Sequence, residues 1–189
     1  MERNAITFFI EFKKRVTEKE FLDKYKNNLQ FTEVVIKVIN DIIGDMGFQS
    51  QNEYFRIDAT GWQSKYKTIE DEAKEIGMQP HLWDLKIAVE HENNVRDWTD
   101  ELIKLIHIRC PLKVIIGYNY CDRRDTLEYK KLEYAAKWMR EIDVFDSNSK
   151  EAYLIILGNC YGKDNGSSYD KFNYKGYLYN YENQKFQSI

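Results

Sequence analysis

The amino-acid sequence predicts an α/β protein with a mixed central β-sheet flanked by helices. Three short apolar runs rich in β-branched residues, at 85–89, 112–118 and 152–157, have the length and composition of buried strands. Two segments whose apolar residues recur at helical spacing, 98–109 and 125–142, separate these runs. Alternation of strand and helix along the chain indicates a sheet covered by helices.

Length and composition favour one folded domain covering residues 1–189. Hydrophobic residues make up 43% of the chain and aromatic residues 15%, which is far more than a disordered chain contains. No segment approaches the roughly 20 apolar residues of a membrane span, and the first 15 residues lack a signal-peptide pattern. The three cysteines are widely spaced and fit neither a disulfide framework nor a zinc site. We therefore expect a cytoplasmic protein without membrane contact.

The N-terminal third is predicted to be mainly helical. Residues 5–12 fit either a strand or the start of a helix, because their periodicity does not decide. Thr17 and Glu20 have the spacing of a capping box, which predicts a short helix to about Lys26. A longer helix is predicted over 31–46, ended by Gly47. The apolar residues with helical spacing in it are Val35, Val38, Ile39, Ile42 and Met46.

Residues 48–62 are predicted to form one or two strands, with the polar segment 49–52 as a turn or a sheet edge. A charged connection follows, with a short helix over 68–76 ended by Gly77. This connection is long for a hairpin, so we expect it to form a wall of a cleft.

The most informative stretch is 85–93, where an apolar strand runs into three ionisable side chains. Because side chains alternate along a strand, Glu90 and Glu92 are predicted on one face and His91 on the other. Two carboxylates at this spacing lie roughly 6–7 Å apart, close enough to share a divalent cation such as Mg²⁺. The side chains expected on the face opposite to both glutamates are Leu85, Ile87 and Val89.

A third acid, Asp58, ends the preceding strand-like run, 54–59. The sequence thus has a recognisable order of elements. One strand ends in an acid, the next ends in a Glu-x-Glu, and a helix and then a buried strand follow. It resembles the restriction-endonuclease-like, or PD-(D/E)xK, nuclease superfamily, in which Glu or Gln sometimes replaces the lysine. The resemblance covers roughly residues 31–120. It implies a restriction-endonuclease-like core there, with 1–30 as a helical extension and 121–189 adding a helix and C-terminal strands.

The resemblance implies a Mg²⁺- or Mn²⁺-dependent endonuclease that hydrolyses phosphodiester bonds in DNA and acts as a homodimer. Asp58, Glu90 and Glu92 would be catalytic metal ligands, and Glu33 on the first long helix would be an additional ligand. Either Glu92 itself or Lys104, on the helix after the Glu-x-Glu, would take the part of the missing lysine. Each assignment has a plain alternative: Glu33 suits a helix N-terminus, Lys104 suits an exposed helix face, and strands often end in acids.

The net charge of −3 is a mark against DNA as a partner, since DNA-binding domains usually carry a basic surface. A second hypothesis is therefore a catalytically inactive nuclease-like scaffold that serves as a binding or interaction protein.

The C-terminal tyrosines Tyr177, Tyr179 and Tyr181 alternate along one strand face. They fit base stacking, but also a core or an interface.

Overall fold

The computed structural model of the chain describes residues 2–16, 28–78, 83–93, 98–120, 125–142, 151–160 and 172–189. In these ranges the chain forms five helices, which are α1 (Glu2–Val16), α2 (Asn28–Asp45), α3 (Lys67–Glu75), α4 (Trp98–Ile106) and α5 (Asp125–Glu141). It also forms seven strands, which are β1 (Gln49–Tyr54), β2 (Ile57–Ser64), β3 (Trp83–His91), β4 (Leu112–Tyr120), β5 (Ala152–Cys160), β6 (Phe172–Asn180) and β7 (Lys185–Ser188). None of these helices is long and apolar enough to cross a membrane.

All seven strands belong to one open sheet, and their order in the sheet is their order in the sequence. The three central strands β3, β4 and β5 are parallel, whereas the hairpins β1–β2–β3 and β5–β6–β7 are antiparallel. The helices α4 and α5 make the two crossovers between parallel strands. The structure thus confirms an α/β fold with a mixed sheet flanked by helices.

Two hydrophobic cores lie on opposite faces of the sheet. Helices α1 and α2 cover one face, where Phe12 and Ile39 pack against strand residues such as Val89 and Val114. Helices α4 and α5 cover the other face, where their buried residues meet a different set of strand side chains. The second core includes Ala88, Trp98, Leu102, Leu105, Ile115, Leu132, Met139, Tyr153 and Tyr177.

Residues 5–12, for which the sequence left two choices, lie within helix α1. The buried residues of α1 are Ala5, Phe8, Phe9, Phe12 and Val16. This spacing of three and four is that of a helix with one apolar face. The short helix predicted after Thr17 lies outside the described residues. The predicted second helix is confirmed as α2, and Gly47 follows it with a φ of 83°.

The polar segment 49–52 is part of β1, a strand at the edge of the sheet whose residues are almost all exposed. The turn of the hairpin lies further on, at Phe55 and Arg56, between the paired residues Tyr54 and Ile57. The predicted helix 68–76 is α3, and Gly77 follows it with a φ of 79°. No residue of α3 is buried.

The C-terminal half agrees with the sequence at most positions. The apolar residues expected to face the sheet from α4 are buried, although that helix ends at Ile106 rather than at 109. Tyr177 and Tyr179 are buried in the second core, so they are core residues rather than a surface for stacking bases. Residues 162–168, which the sequence predicts to be a hairpin loop, lie outside the described ranges.

Candidate functional site

Asp58 and Glu90 meet across the antiparallel pair of β2 and β3. Ala59 pairs with Val89 in this ladder, so the next residues, Asp58 and Glu90, lie opposite each other. Side chains at opposite positions share a face and have Cβ atoms about 4.5–5.5 Å apart. The backbone N–H of His91 donates a hydrogen bond of 2.7 Å to Asp58 Oδ2. Two acids that are 32 positions apart in the sequence are therefore neighbours.

The Glu90 side chain lies in the α4-covered face of the sheet, with 1% of its surface exposed. The pKa of Glu90 is raised from 4.5 to about 8, mainly by burial and also by the nearby Asp58 and Glu101 carboxylates. Lys104 acts in the opposite direction, because its Nζ lies 2.9 Å from Glu90 Oε1. Without a cation other than Lys104, Glu90 holds its proton at neutral pH more readily than an exposed glutamate.

Lys104 connects three parts of the site. Its Nζ lies 2.9 Å from Glu90 Oε1 and 2.5 Å from Glu101 Oε2, and it donates a hydrogen bond of 3.2 Å to the carbonyl of Arg56. Burial lowers the pKa of Lys104, but the Glu101 and Glu90 carboxylates outweigh this effect and the net shift is upward. The sequence prediction that Lys104 comes close to the strand acids agrees with this geometry.

Glu101 is a member of this cluster that the sequence analysis did not single out. It lies on α4 three residues before Lys104, on the same side of the helix. Its charge acts on both Asp58 and Glu90. The spacing of Glu101 and Lys104 was the available signal, but ion pairs at this spacing are common on helices and do not by themselves indicate a site.

The pKa of Asp58 is also raised from its usual value. Burial is the main cause, and the hydrogen bond from His91 and the charge of Lys104 oppose it. Asp58 is less buried than Glu90, since part of its side chain remains accessible. An accessible carboxylate beside a buried one can bind a cation from solution.

Glu92 and Glu33 lie elsewhere. Strand β3 ends at His91, so the alternation of side chains does not extend to Glu92. The Glu92 backbone N–H donates to the carbonyl of Ile116 at 2.9 Å, and its side chain is half-buried. Glu33 is exposed on α2, which packs on the sheet face opposite to Glu90. Across the described residues, no three His, Cys, Asp or Glu side chains are grouped closely enough to hold a metal ion.

His91 faces away from Glu90, as the strand period predicts. Its Nε2 lies 2.9 Å from the hydroxyl of Tyr118, and its ring also contacts Phe31 on α2. Burial lowers the pKa of His91 to about 3, so the ring is neutral. Its side chain therefore supports the core, while its backbone N–H supports Asp58.

One strand residue lies on the face opposite to that predicted. Ile87 and Val89 belong to the core beneath α2, as expected, but Leu85 packs against the other core. The ladder between β2 and β3 shifts where Gly61 pairs with Ile87 and Trp62 pairs with Leu85. The extra residue in β3 reverses the alternation, which is the usual effect of a β-bulge.

The fold defines the chain as an α/β protein with a mixed, open, seven-strand sheet. Searches against protein-family models, curated proteins and solved structures gave no significant match to this chain.

Proposed function

We propose that the protein is a Mg²⁺-dependent nuclease that hydrolyses phosphodiester bonds in DNA at the cluster of Asp58, Glu90 and Lys104. One observation carries this proposal: Asp58 lies opposite Glu90 across β2 and β3, and Lys104 from the next helix contacts Glu90. An acid on one strand, an acid on the next and a lysine moved to the following helix match a variant of the restriction-endonuclease-like arrangement. The proposal therefore places the chain in that superfamily.

The donor set fits a hard cation. Mg²⁺ prefers oxygen ligands and commonly binds through one or two carboxylates, together with waters and substrate phosphates. Asp58 and Glu90 supply two carboxylates on one face, and Asp58 remains partly accessible. A third acid in contact is not required for this mode of binding, so Glu92 and Glu33 are dispensable for it.

Each side chain has a distinct task in this proposal. A bound Mg²⁺ supplies polarisation of a phosphoryl oxygen and a bound water of lowered pKa. Asp58 holds its orientation through the His91 backbone N–H and offers its second oxygen as a ligand. Lys104, oriented by Glu101, keeps a positive charge beside Glu90 and the scissile phosphate. Lys104 thereby replaces the strand lysine that Glu92 displaces.

Cleavage of supercoiled and linear DNA in Mg²⁺ or Mn²⁺ tests the proposal. Asp58→Asn and Glu90→Gln should each reduce the cleavage rate more than about 100-fold, because each removes a metal ligand rather than an outer-sphere partner. Asp84→Asn is the matched control. Asp84 is an acid on the same strand with a lysine partner, Lys86 at 2.7 Å, but it lies outside the site.

The nuclease proposal fails if wild-type protein cleaves no DNA in either metal. It also fails if Asp58→Asn and Asp84→Asn have equal effects. Isothermal titration calorimetry with Mn²⁺ gives a separate readout. Both site variants should lose the binding of Mn²⁺, whereas the Asp84 variant should retain it.

A second function is favoured by the contacts of Lys104. Its ammonium group has three acceptors within 3.2 Å, which are Glu90, Glu101 and the Arg56 carbonyl. An ammonium has three donors, and here its positive charge already faces both acids without a metal. A nuclease-like scaffold that acts as a binding or interaction protein would show this arrangement, and it would neither bind Mn²⁺ nor cleave DNA.

A further inference from the structure

The turn between β1 and β2 has a strained backbone. Phe55 and Arg56 form a two-residue hairpin loop, with φ angles of 51° and 61°. Positive φ at both positions is what a type I′ turn requires, and Asn-Gly is the usual sequence there. A bulky aromatic residue and an arginine pay a steric penalty in this conformation. Backbone strain of this kind is concentrated at functional sites.

Both side chains of the turn face solvent. Phe55 is 77% exposed, and Arg56 is exposed beside it. A phenyl ring offers a surface for stacking a base, and a neighbouring guanidinium offers charge for a phosphate. This pair of side chains therefore matches the two chemical components of a nucleic acid strand.

Phe55 is the first of four aromatic rings in successive contact. The Phe55 and Tyr54 centroids are 4.4 Å apart, Tyr54 and Trp83 are 4.4 Å apart, and Trp83 stacks on Trp62 at 4.8 Å with an interplanar angle of 9°. Gly61 faces α2. Because side chains alternate along a strand, the next residue, Trp62, points to the opposite face of the sheet. Trp62 and the Trp83 ring stacked on it therefore lie on the sheet face of Glu90.

The turn is joined directly to the proposed site. Lys104 Nζ, which contacts Glu90, also donates a hydrogen bond to the Arg56 carbonyl at 3.2 Å. Asp58 follows Arg56 by two residues. A strand of nucleic acid with one phosphate at Asp58 and Glu90 would thus meet Phe55 and Arg56 within a nucleotide or two.

We infer that the Phe55–Arg56 turn binds unpaired DNA next to the site, with Phe55 stacked on a base and Arg56 against a phosphate. The inference rests on the proposed function for its position beside a scissile bond, and it assigns single-stranded or locally unpaired DNA as the substrate class. In base-paired DNA the faces of the bases are already stacked, so the Phe55 ring has no partner in an intact duplex.

The test replaces the turn by Asn-Gly, with Phe55→Asn and Arg56→Gly together. This sequence suits the backbone better, so the variant folds, and a rise in its melting temperature verifies that it does. Binding of a fluorescent single-stranded DNA oligonucleotide is measured by anisotropy in EDTA, so that no cleavage occurs. The double variant should bind at least about five-fold more weakly than wild type, as expected for loss of one stacked base.

Matched controls separate stacking from general charge and hydrophobicity. Tyr129→Ala removes an aromatic side chain that is 59% exposed on α5, and it should leave binding unchanged. Arg56→Gln alone should reduce the slope of log affinity against log salt by about 0.7, whereas Arg109→Gln, at another exposed arginine, should not.

The inference is overturned if the Asn-Gly variant binds single strands as wild type does, or if wild type binds duplex DNA as tightly as single strands. If the turn is needed for binding but no metal supports cleavage, the proposed nuclease activity fails and this inference stands. If the turn variant and wild type cleave and bind alike, the nuclease activity stands and this inference fails.

Discussion

Single residues in this protein carry ionisable groups into the two cores, and Glu90 is the clearest case. An acid with a raised pKa favours the folded state when it is protonated. In metal-free protein, Glu90 therefore stabilises the fold below its ordinary pKa of 4.5 and loses that contribution as the pH rises through about 8. The pH dependence of unfolding can report on this carboxyl group without any assay of activity.

Glu90→Gln should remove this pH dependence. The measured quantity is the free energy of unfolding of the variant minus that of wild type, both in EDTA. This difference should increase by about 2–4 kcal/mol between pH 5 and pH 8, because wild type loses stability over that range. Chemical denaturation at a series of pH values measures it. Glu75→Gln, at an exposed position of α3, is the control and should show a constant difference. A constant difference for Glu90→Gln as well would contradict the buried, protonated state.

Lys113 is a second buried charge, on β4. Its Nζ donates to Glu151 Oε2 at 2.7 Å and to the Tyr153 hydroxyl at 2.6 Å, and burial lowers its pKa despite the Glu151 carboxylate. The Tyr153 hydroxyl donates to the same Glu151 oxygen at 3.2 Å. The lysine is thus held by two partners, as a buried ammonium must be.

Lys113→Met should lower the free energy of unfolding by about 2–4 kcal/mol, because it leaves Glu151 without its cation. The lower half of this range is expected, since 21% of the Glu151 side chain is exposed to water. Lys113→Met combined with Glu151→Leu should recover most of the loss. Thermal and urea unfolding would measure both, and a double variant less stable than the single one would contradict this explanation.

At the scale of elements, the position of α4 depends on close contact with β4. Gly117 faces α4, and a Cβ at this position would lie 2.8 Å from Cβ and Cγ of Trp98. A side chain here would therefore push away the helix that carries Lys104 and Glu101.

Gly117→Ala should lower the free energy of unfolding by about 1–3 kcal/mol through overpacking, and it should weaken the proposed DNA cleavage by displacing Lys104. Gly44→Ala is the opposite case. Gly44 lies in α2 with no atom within 4 Å of an added Cβ, so alanine should stabilise the protein by about 0.5–1 kcal/mol. Thermal unfolding of both variants checks the pair, and equal effects would contradict the contact.

The order of elements could be predicted from the sequence because apolar spacing reports burial directly. The spacing of Val35, Ile39 and Ile42 predicted α2, and the β-branched run from Leu112 predicted β4. The hairpin turn could not be predicted, because the sequence Phe55–Arg56 lacks the glycine or asparagine that usually marks positive φ.

The candidate site was only partly predictable, for a related reason. Asp58, Glu90 and Lys104 come together because neighbouring strands and a crossover helix place them there, but Asp58 lies at the start of β2 and not at the end of a strand, where the sequence pattern predicts it. Glu92 falls past the end of β3, and the length of a strand is not encoded in its side-chain alternation. Glu101 becomes visible only once α4 is oriented on the sheet.

At the scale of the whole molecule, the sheet separates two layers that hold different kinds of residue. The face under α1 and α2 is almost entirely apolar, and the face under α4 and α5 also carries Glu90, Lys113 and Glu128. The charged groups of the interior are thus concentrated in one layer, where lysines can neutralise the acids. The other layer provides apolar packing that supports the strands from behind.

His91 joins these two layers within one residue. Its imidazole is anchored to Tyr118 among the rings beneath α2, while its amide proton holds the Asp58 carboxylate on the reverse side. A change in the aromatic packing around Tyr118 would alter the tilt of His91 and so redirect Asp58, without touching the charged layer. Apolar substitutions beneath α2 could therefore change the orientation of the Asp58 carboxylate, while every polar residue of the site stays in place.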